Sequence, residues 1–590
     1  SVFVPISFLP STAGKLFREF GFVLAAAVII SSFVALTLVP AAGAQISLTS
    51  DAPRFGWLVG LGQRFAAIYG RALAHILNHP WGVGVMALVV AVLAGLTYTD
   101  LRQELVPSED RGTLIVYAEG PDGVGLDYMQ RQADEIEKIL QPFVESGDIL
   151  AAFNVIGRWD PNRIWLTATL APWSERSLSE QDIIAQLRPQ LAKIPGVRSS
   201  AFGPNSLNIR GGSRNGISFA ITGGDYDALY NVARDLAERM DEPGNAFENA
   251  QISYQPTQPQ ISIQVDRRRA ADLGVSLDDL SLTLRAMVGG EDLIDLNVFD
   301  QAIPIILEAK SQAITSPEDL QNLFLRTAGG DLVPLSSMAR IVEEGIAAEL
   351  DRVEQRRAIE VEADLAGETS LAEAVEQVRA LSRETLAPGM GLVLMQQAAT
   401  LEETSNDLLL TYGFALVIVF LVLVAQFESV SSAVVILLTV PFGLAAAVFA
   451  LFISGVSLNI YSQIGLVMLI GLMAKNGILL VEFADQLRGQ GYSVRAAVEE
   501  AAKVRLRPIM MTLISTVIGA LPLVLASGAG AEARISIGWV IFGGLGLAGL
   551  FTLFLAPVIY LGIARFSRAR DDVSGDVDRE LGALQEEPAE

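Results

Sequence analysis

Within the apolar run VMLIGLMAKNGILLVEF, residues 467–483, a lysine stands at position 475 with an asparagine beside it at 476. An ammonium at mid-span costs at least ~2.5 kcal/mol on insertion scales, so such groups are rare, usually face a bundle interior and normally have a partner. No carboxylate lies in the central region of any apolar span of this chain. Glu482 and Asp485 come nearest, about 10 to 15 Å along the axis at the helical rise of 1.5 Å per residue. The counter-charge of Lys475 is therefore expected outside these spans. Snorkelling to an interface is the structural alternative, and mid-span depth argues against it. Asn476 could equally serve as a polar contact between two helices.

The other chemistry-bearing residues exclude more than they suggest. There is no cysteine, so disulfides and thiolate metal sites are ruled out, and His75 and His79 are the only imidazoles. They sit at i, i+4 without a further ligand cluster, which reads as structural rather than as a metal pair. No nucleotide loop, triad or metal constellation supports an enzyme. The net charge of -24 is concentrated in a polar middle of about 300 residues and in the tail DDVSGDVDRELGALQEEPAE. This argues against nucleic acid as a partner, and the tail reads as disordered.

With 51% hydrophobic residues, the chain reads as an integral membrane protein. Seven segments are long and apolar enough to span: 20–42, 81–98, 407–426, 430–454, 463–484, 509–527 and 537–563. The first has too long an apolar run for a signal peptide. Arg488, Arg495, Lys503, Arg505 and Arg507 in one loop, Arg565, Arg568 and Arg570 at the end, and Arg54, Arg64 and Arg71 near the start mark one side as cytoplasmic. The large polar segment from about 99 to 405 is then expected outside.

That segment alternates strand-like runs with amphipathic helices. GTLIVYAEG, LDYMQRQADEIEKILQPFV, ILAAFNVIG, RIWLTATLAP, SEQDIIAQLRPQLAKI and VRSSAFGP follow the split βαβ order. A second copy is interrupted: GISFAITGG, YDALYNVARDLAERM and AQISYQP begin it, and RAIEVEADLAG, LAEAVEQVRALSRETL and GLVLMQQA complete it. Residues 261–348 between them form an inserted mixed subdomain. The methionines of this segment, Met129, Met240, Met287, Met338, Met390 and Met395, are scattered, which favours core packing over a soft-metal site.

The ends of the chain repeat one another. Pro5 precedes Pro40 by 35 residues and Pro522 precedes Pro557 by the same 35, with Leu36 and Leu38 matched by Leu553 and Leu555. Residues 1–44 then read as the end of a first half whose beginning is absent, followed by a complete second half.

Several passages, LVAQFESVSSAVVILLTVPFGL, GLMAKNGILLVEFAD, RLRPIMMT and GALPLVLASGAGAEA, resemble the C-terminal half of resistance-nodulation-division (RND) efflux pumps of the AcrB type. VPSEDRGTLIV, LAPWSER and VDRRRAADLGVSLDDL extend the resemblance over residues 1–565. It implies a multi-pass α-helical protein of the bacterial inner membrane with a large α+β periplasmic domain, made of split βαβ porter subdomains and an inserted docking subdomain. The implied layout is 1–44, end of a first membrane bundle; 45–80, cytoplasmic connector with an amphipathic helix; 81–98, membrane helix; 99–215, first porter subdomain; 216–260 with 349–400, second porter subdomain; 261–348, docking subdomain; 405–566, five-helix bundle; 567–590, acidic tail. The partners it implies are two further copies in a homotrimer, a periplasmic adaptor protein, an outer-membrane channel, membrane lipid and small amphiphilic substrates. It implies no cofactor, the proton gradient being the energy source.

In that family a lysine on this helix pairs with two aspartates on the equivalent helix of the first half, and protonation of the cluster drives the cycle. Lys475 and Asn476 match that lysine and asparagine, Arg505 the arginine at the inner end of the next helix, and Thr512 a threonine two turns on. Arg505 also fits a positive-inside residue, and Thr512 a bond to its own backbone. The family's pocket stretch matches FNVIGRWDPNRIWLTATLAPW, where Phe153 stands at a pocket phenylalanine. Trp159 and Trp165 offer faces for apolar, cationic ligands. Arg158 and Thr167 replace usual aromatics, and on strands such aromatics also serve as core. The alternatives are an inactive scaffold or partial gene product, and a lipid or metal exporter of the same superfamily.

Overall fold

The structure, a computed structural model, describes residues 12–45, 56–204, 216–310, 314, 316–347, 349–367 and 369–564. Pro5, Arg54, part of the connector, the basic residues 565–570 and the acidic tail lie outside the described residues.

The chain enters through helix α1 (Thr12–Gln45), α2 (Gly56–Asn78) and α3 (Pro80–Asp100). Helix α2 is amphipathic, and its stripe at i, i+4, i+8 buries Tyr69, Leu73 and Leu77 against the membrane bundle. The first extramembrane unit follows: β1 (Thr113–Glu119), α4 (Leu126–Glu145), β2 (Ile149–Ile156), β3 (Arg163–Leu170), α5 (Glu180–Leu191) and β4 (Arg198–Phe202). Its antiparallel sheet has the order β2-β3-β1-β4. Alternation sends Leu114, Val116, Ile164 and Leu166 into a core with Met129, Ile136 and Leu140 of α4 and Ile183 and Leu187 of α5. Both helices cover this one face. Tyr117, Trp165 and Thr167 point to the other.

The second unit starts with β5 (Gly216–Gly223), α6 (Tyr226–Met240) and β6 (Phe247–Ile252). An insertion then leaves and returns on an antiparallel ribbon of β7 (Gln258–Val265), paired with a strand at the insertion's far end. It carries short helices at Arg267–Asp272 and Leu277–Val288, and a hairpin of β8 (Glu291–Val298) and β9 (Gln301–Leu307). The return strand is β10 (Ala339–Ile346). The insertion's own core is small, built on Val275, Leu280, Leu325, Leu335 and Met338. Strand β11 (Arg356–Leu365), α7 (Leu371–Thr385) and β12 (Gly391–Leu394) complete the interrupted unit. In its five-stranded sheet β6 and the two-residue strand Arg352–Val353 both pair with β11, which is followed by β5 and β12; the path β6-β11-β5-β12 repeats the spatial order of the first unit once the strands are counted within each copy.

The bundle comprises α8 (Gln396–Phe427), α9 (Val430–Leu437), α10 (Val440–Ser454), α11 (Ile460–Gly489), α12 (Val494–Val524), α13 (Ala531–Trp539) and α14 (Gly546–Ile563), the last two joined by a π-helical turn at Val540–Leu545. Among the described residues seven helical stretches are long and apolar enough to cross a membrane: Arg18–Gln45, Pro80–Asp100, Leu410–Phe427, Val430–Ser454, Ile460–Gly489, Val494–Val524 and Ala531–Ile563.

Some boundaries differ from the sequence-based layout. The expected break between 400 and 405 falls inside α8, because QQAATLEETSNDLLL is polar yet rich in helix formers and carries no glycine or proline. The insertion begins at Gln258 rather than 261, since ladder pairing continues to Gln258↔Ile346. The span at 430–454 is interrupted at Leu438–Thr439, where Pro441 starts α10 without an N–H to give to the preceding turn. Polar first turns carry α12 back to Val494, capped by Ser493. Pro557 likewise deprives the Leu553 carbonyl of its helical donor, and the Tyr69 hydroxyl supplies one at 2.7 Å. That bond pins α2 to the last membrane helix.

Candidate functional site

Helix α11 is capped by Asn459, whose side chain accepts from the Tyr461 and Ser462 N–H groups. Its less buried stripe, Gly471, Leu472, Lys475, Ile478, Leu479 and Glu482, follows helical spacing. Lys475 lies exposed on that stripe, while its neighbour Asn476 is buried in the bundle. No hydrogen bond or ion pair of Lys475 occurs among the described residues. Asp485 is committed elsewhere, accepting from the Tyr560 hydroxyl at 2.5 Å and the Ser432 hydroxyl at 2.7 Å.

The other two expected relay residues are not joined to Lys475. The Arg505 guanidinium stacks on Phe483 at 4.6 Å, with Nε buried and without a hydrogen-bond partner. Phe483 is eight residues from Lys475, about 12 Å along the axis. The Thr512 hydroxyl donates to its own helix, to the Ile509 carbonyl at 3.1 Å. Seven residues beyond Arg505 on the neighbouring helix, Thr512 returns to roughly the level of Lys475. Lys475 and the exposed side chains of Met511 and Ile514 thus belong to surfaces that this chain leaves uncovered.

The pocket residues are gathered more closely. Arg158 lies against two indoles, 4.3 Å from the Trp159 ring and 4.7 Å from Trp165, and the two indoles meet edge to face at 5.4 Å. The preceding Gly157 (φ 77°) makes the tight turn, and Trp159 follows at φ 68°, a left-handed conformation that costs a bulky residue about 1–3 kcal/mol. Trp159, Trp165, Tyr117 and Phe202 form one wall of a cavity of about 1310 Å³. The opposite wall comes from the second unit and is acidic: Glu349, Asp351, Glu360 and Glu362. Burial pushes the Glu360 carboxyl up, and the charges of Asp351, Glu362 and Glu349 add to the rise. Arg163 is neutralised locally by Asp160 at 2.8 Å and Glu119 at 3.5 Å. Phe153, opposite Thr167 in the ladder, is exposed; neither lines this cavity.

The acidic wall escaped sequence reading because its members flank the insertion, about 190 residues from the tryptophans. A second cluster also escaped it, built from the VPSEDRG and LAPWSER passages. Asp110 binds Arg176 at 2.5 Å and accepts from the Glu180 and Gly112 N–H groups; the Arg176 side chain is 2% exposed and Glu180 is fully buried. The charged residues Glu109, Asp110 and Arg111 in one short passage and Glu175 and Arg176 in the other were the available signal.

His75 and His79 have ring centroids 5.0 Å apart, and no group of three potential ligands able to hold a metal occurs among the described residues. Met129, Met240 and Met338 are buried in three separate cores.

Seven apolar spans among the described residues, a mixed extramembrane domain of two matching sheets, and a membrane-helix lysine without a counter-charge among those residues together define a polytopic membrane protein. The chain belongs to the AcrB/AcrD/AcrF family, which it matches over residues 1–564. It is 32% identical over 578 residues to an uncharacterized transporter of Haemophilus influenzae, covering 96% of this chain and 55% of the relative. The chain thus spans about half the length of the curated relative it matches. Family and relative are transporters, not enzymes.

Proposed function

We propose that this chain is half of a proton-driven efflux permease that exports amphiphilic small molecules. The observation that carries the reading is Lys475: a cation midway along an apolar helix, on the uncovered stripe, with no counter-charge among the described residues. In a family of transporters, such a group supports a proton-coupling cluster completed by carboxylates from a second bundle, with Asn476, Arg505 and Thr512 as its surroundings. The exposed Leu36 and Leu38 of α1, against the buried Leu553 and Leu555 of α14, support a second bundle as well.

In this reading the extramembrane domain is periplasmic, its two sheets are porter subdomains and the insertion is a docking subdomain. The cavity between the sheets, with indoles on one wall and carboxylates on the other, favours cationic amphiphiles. The protein works as a homotrimer with a periplasmic adaptor and an outer-membrane channel, as AcrB-family members generally do. The β8–β9 hairpin supports assembly, since Ile294, Leu296, Phe299 and Ile306 are exposed on it.

The test is accumulation of a fluorescent lipophilic cation in a pump-deficient host expressing the native-length gene. Reduced accumulation, lost on collapsing the proton gradient, is expected. Accumulation unchanged by the gene overturns the reading.

A further inference from the structure

Helix α2 carries no acidic residue, and its two arginines, Arg64 and Arg71, share one face with Ile68 between them. All three are exposed, as is Phe65 beside them. The opposite face is the stripe of Tyr69, Leu73 and Leu77 that packs on the bundle. The Tyr69 hydroxyl reaches the Leu553 carbonyl, about 15 Å along the axis of α14 before its end at Ile563. Helix α2 therefore lies along the flank of the bundle rather than beyond its end.

Its neighbour there is α12, and two contacts fix the register. Arg495 donates to the Asn78 side chain, and the stem of Lys503 crosses Gly70. A step forward on α12 thus matches a step back on α2, and the pair is antiparallel. Continued at the helical rise of 1.5 Å per residue, that register sets Arg71 level with Lys503 and brings Arg64 within about 3 Å of the level of Arg507. Lys503 and Arg507 are one turn apart and exposed, with exposed Val504 between them. None of the four cations makes an ion pair among the described residues, and Arg71 Nε donates only to the Ala67 carbonyl of its own helix at 3.4 Å. Of the two carboxylates on this part of α12, Glu499 is bound to Arg495 and Glu500 is exposed. The apolar run of α12 begins at Ile509, just past Arg507. The four cations therefore stand at the level where hydrocarbon gives way to headgroups.

We propose that the seam between α2 and α12 binds the headgroup of an anionic phospholipid: Arg64, Arg71, Lys503 and Arg507 meet its phosphate, and Phe65, Ile68 and Val504 lie along its acyl chains. A guanidinium pairs with two phosphate oxygens at once, and the ammonium adds a point charge. A zwitterionic headgroup brings a cation of its own, which meets four like charges and one exposed carboxylate here, so the seam selects a headgroup of net negative charge. Exposed apolar side chains beside the cations fit a lipid better than a free anion, because they gain nothing from water. The inference does not depend on what the protein exports.

The test is native mass spectrometry of the full chain in neutral detergent micelles, titrated with phosphatidylglycerol or with phosphatidylcholine of the same acyl chains. Phosphatidylglycerol is expected to bind about tenfold tighter. Arg64→Gln, Arg71→Gln, Lys503→Gln and Arg507→Gln should each weaken its binding about fivefold, the factor that corresponds to ~1 kcal/mol for each cation at an anionic membrane surface. Arg64→Lys combined with Arg71→Lys keeps the charge and should keep most of the affinity. Arg267→Gln combined with Arg268→Gln, at exposed positions in the insertion, should leave it unchanged. Equal affinity for the two lipids, seam variants that bind no more weakly than the insertion variant, or displacement of the lipid by inorganic phosphate as readily as by more phosphatidylglycerol would each overturn the site.

Discussion

Lys475 carries the largest consequences of any single side chain. On the proposed proton-coupling reading, Lys475→Ala in the native-length protein is expected to abolish export with expression intact, because carboxylates from a second bundle would lose the cation that keeps one of them ionised. Lys475→Arg should fail as well, since a planar guanidinium cannot take the place of a compact ammonium. Export at near wild-type rate by either variant would make the lysine structural. In the 590-residue chain alone, Lys475→Met should leave the melting midpoint equal or higher, and a clear drop would reveal a counter-charge within the chain. Arg158 makes a different prediction. Its guanidinium occupies the aromatic faces that an organic cation would use, a contact of about 0.5–2 kcal/mol. Arg158→Ala should bind a lipophilic monocation severalfold tighter by fluorescence polarisation; weaker binding would make Arg158 part of the ligand's own contacts.

At the level of elements, two joints hold the architecture. The Tyr69 hydroxyl serves the carbonyl that Pro557 leaves without a donor, so Tyr69→Phe should cost about 1–3 kcal/mol. In a Pro557→Ala background the helix supplies its own N–H, and the same change should cost far less. A double-mutant cycle in thermal unfolding measures the difference, and additive effects would disprove the pairing. Arg176→Met strands the buried Asp110 carboxylate and should destabilise by about 3–5 kcal/mol near neutral pH. Asp110 is held below the usual carboxylate range, its burial being outweighed by the Arg176 guanidinium and the Glu180 and Gly112 N–H groups. Its stabilisation is present above the unfolded carboxylate value and fades as pH falls through the lowered folded value, so the penalty of Arg176→Met should shrink in acid.

For the whole molecule, the bundle is unevenly sealed. The α11–α14 side is packed to a dense core, whereas α1 and the flank carrying Lys475 and Met511 stay open. A spin label at Met511→Cys, unique in a chain without cysteine, should be mobile in this chain alone and immobilised in the native-length protein. Equal mobility in both would remove the argument for a covering bundle.

Local pattern determined much of this in advance. Apolar runs of membrane length specify spans, periods of two and 3.6 specify the strands and helices of both split units, and Lys475 stands out because a charge in such a run needs explanation. Helix limits were less legible, because α8 and α12 continue through polar turns that hydropathy ends too early. What only the tertiary structure decided are pairings between distant residues: Tyr69 with Leu553, Arg158 with two indoles opposite Glu360, and Glu109 with Tyr461. The reason is physical. Periodicity reports which face of an element is buried, but a hydrogen bond or ion pair depends on what another element brings to that face, and that is set by how the packed layers meet.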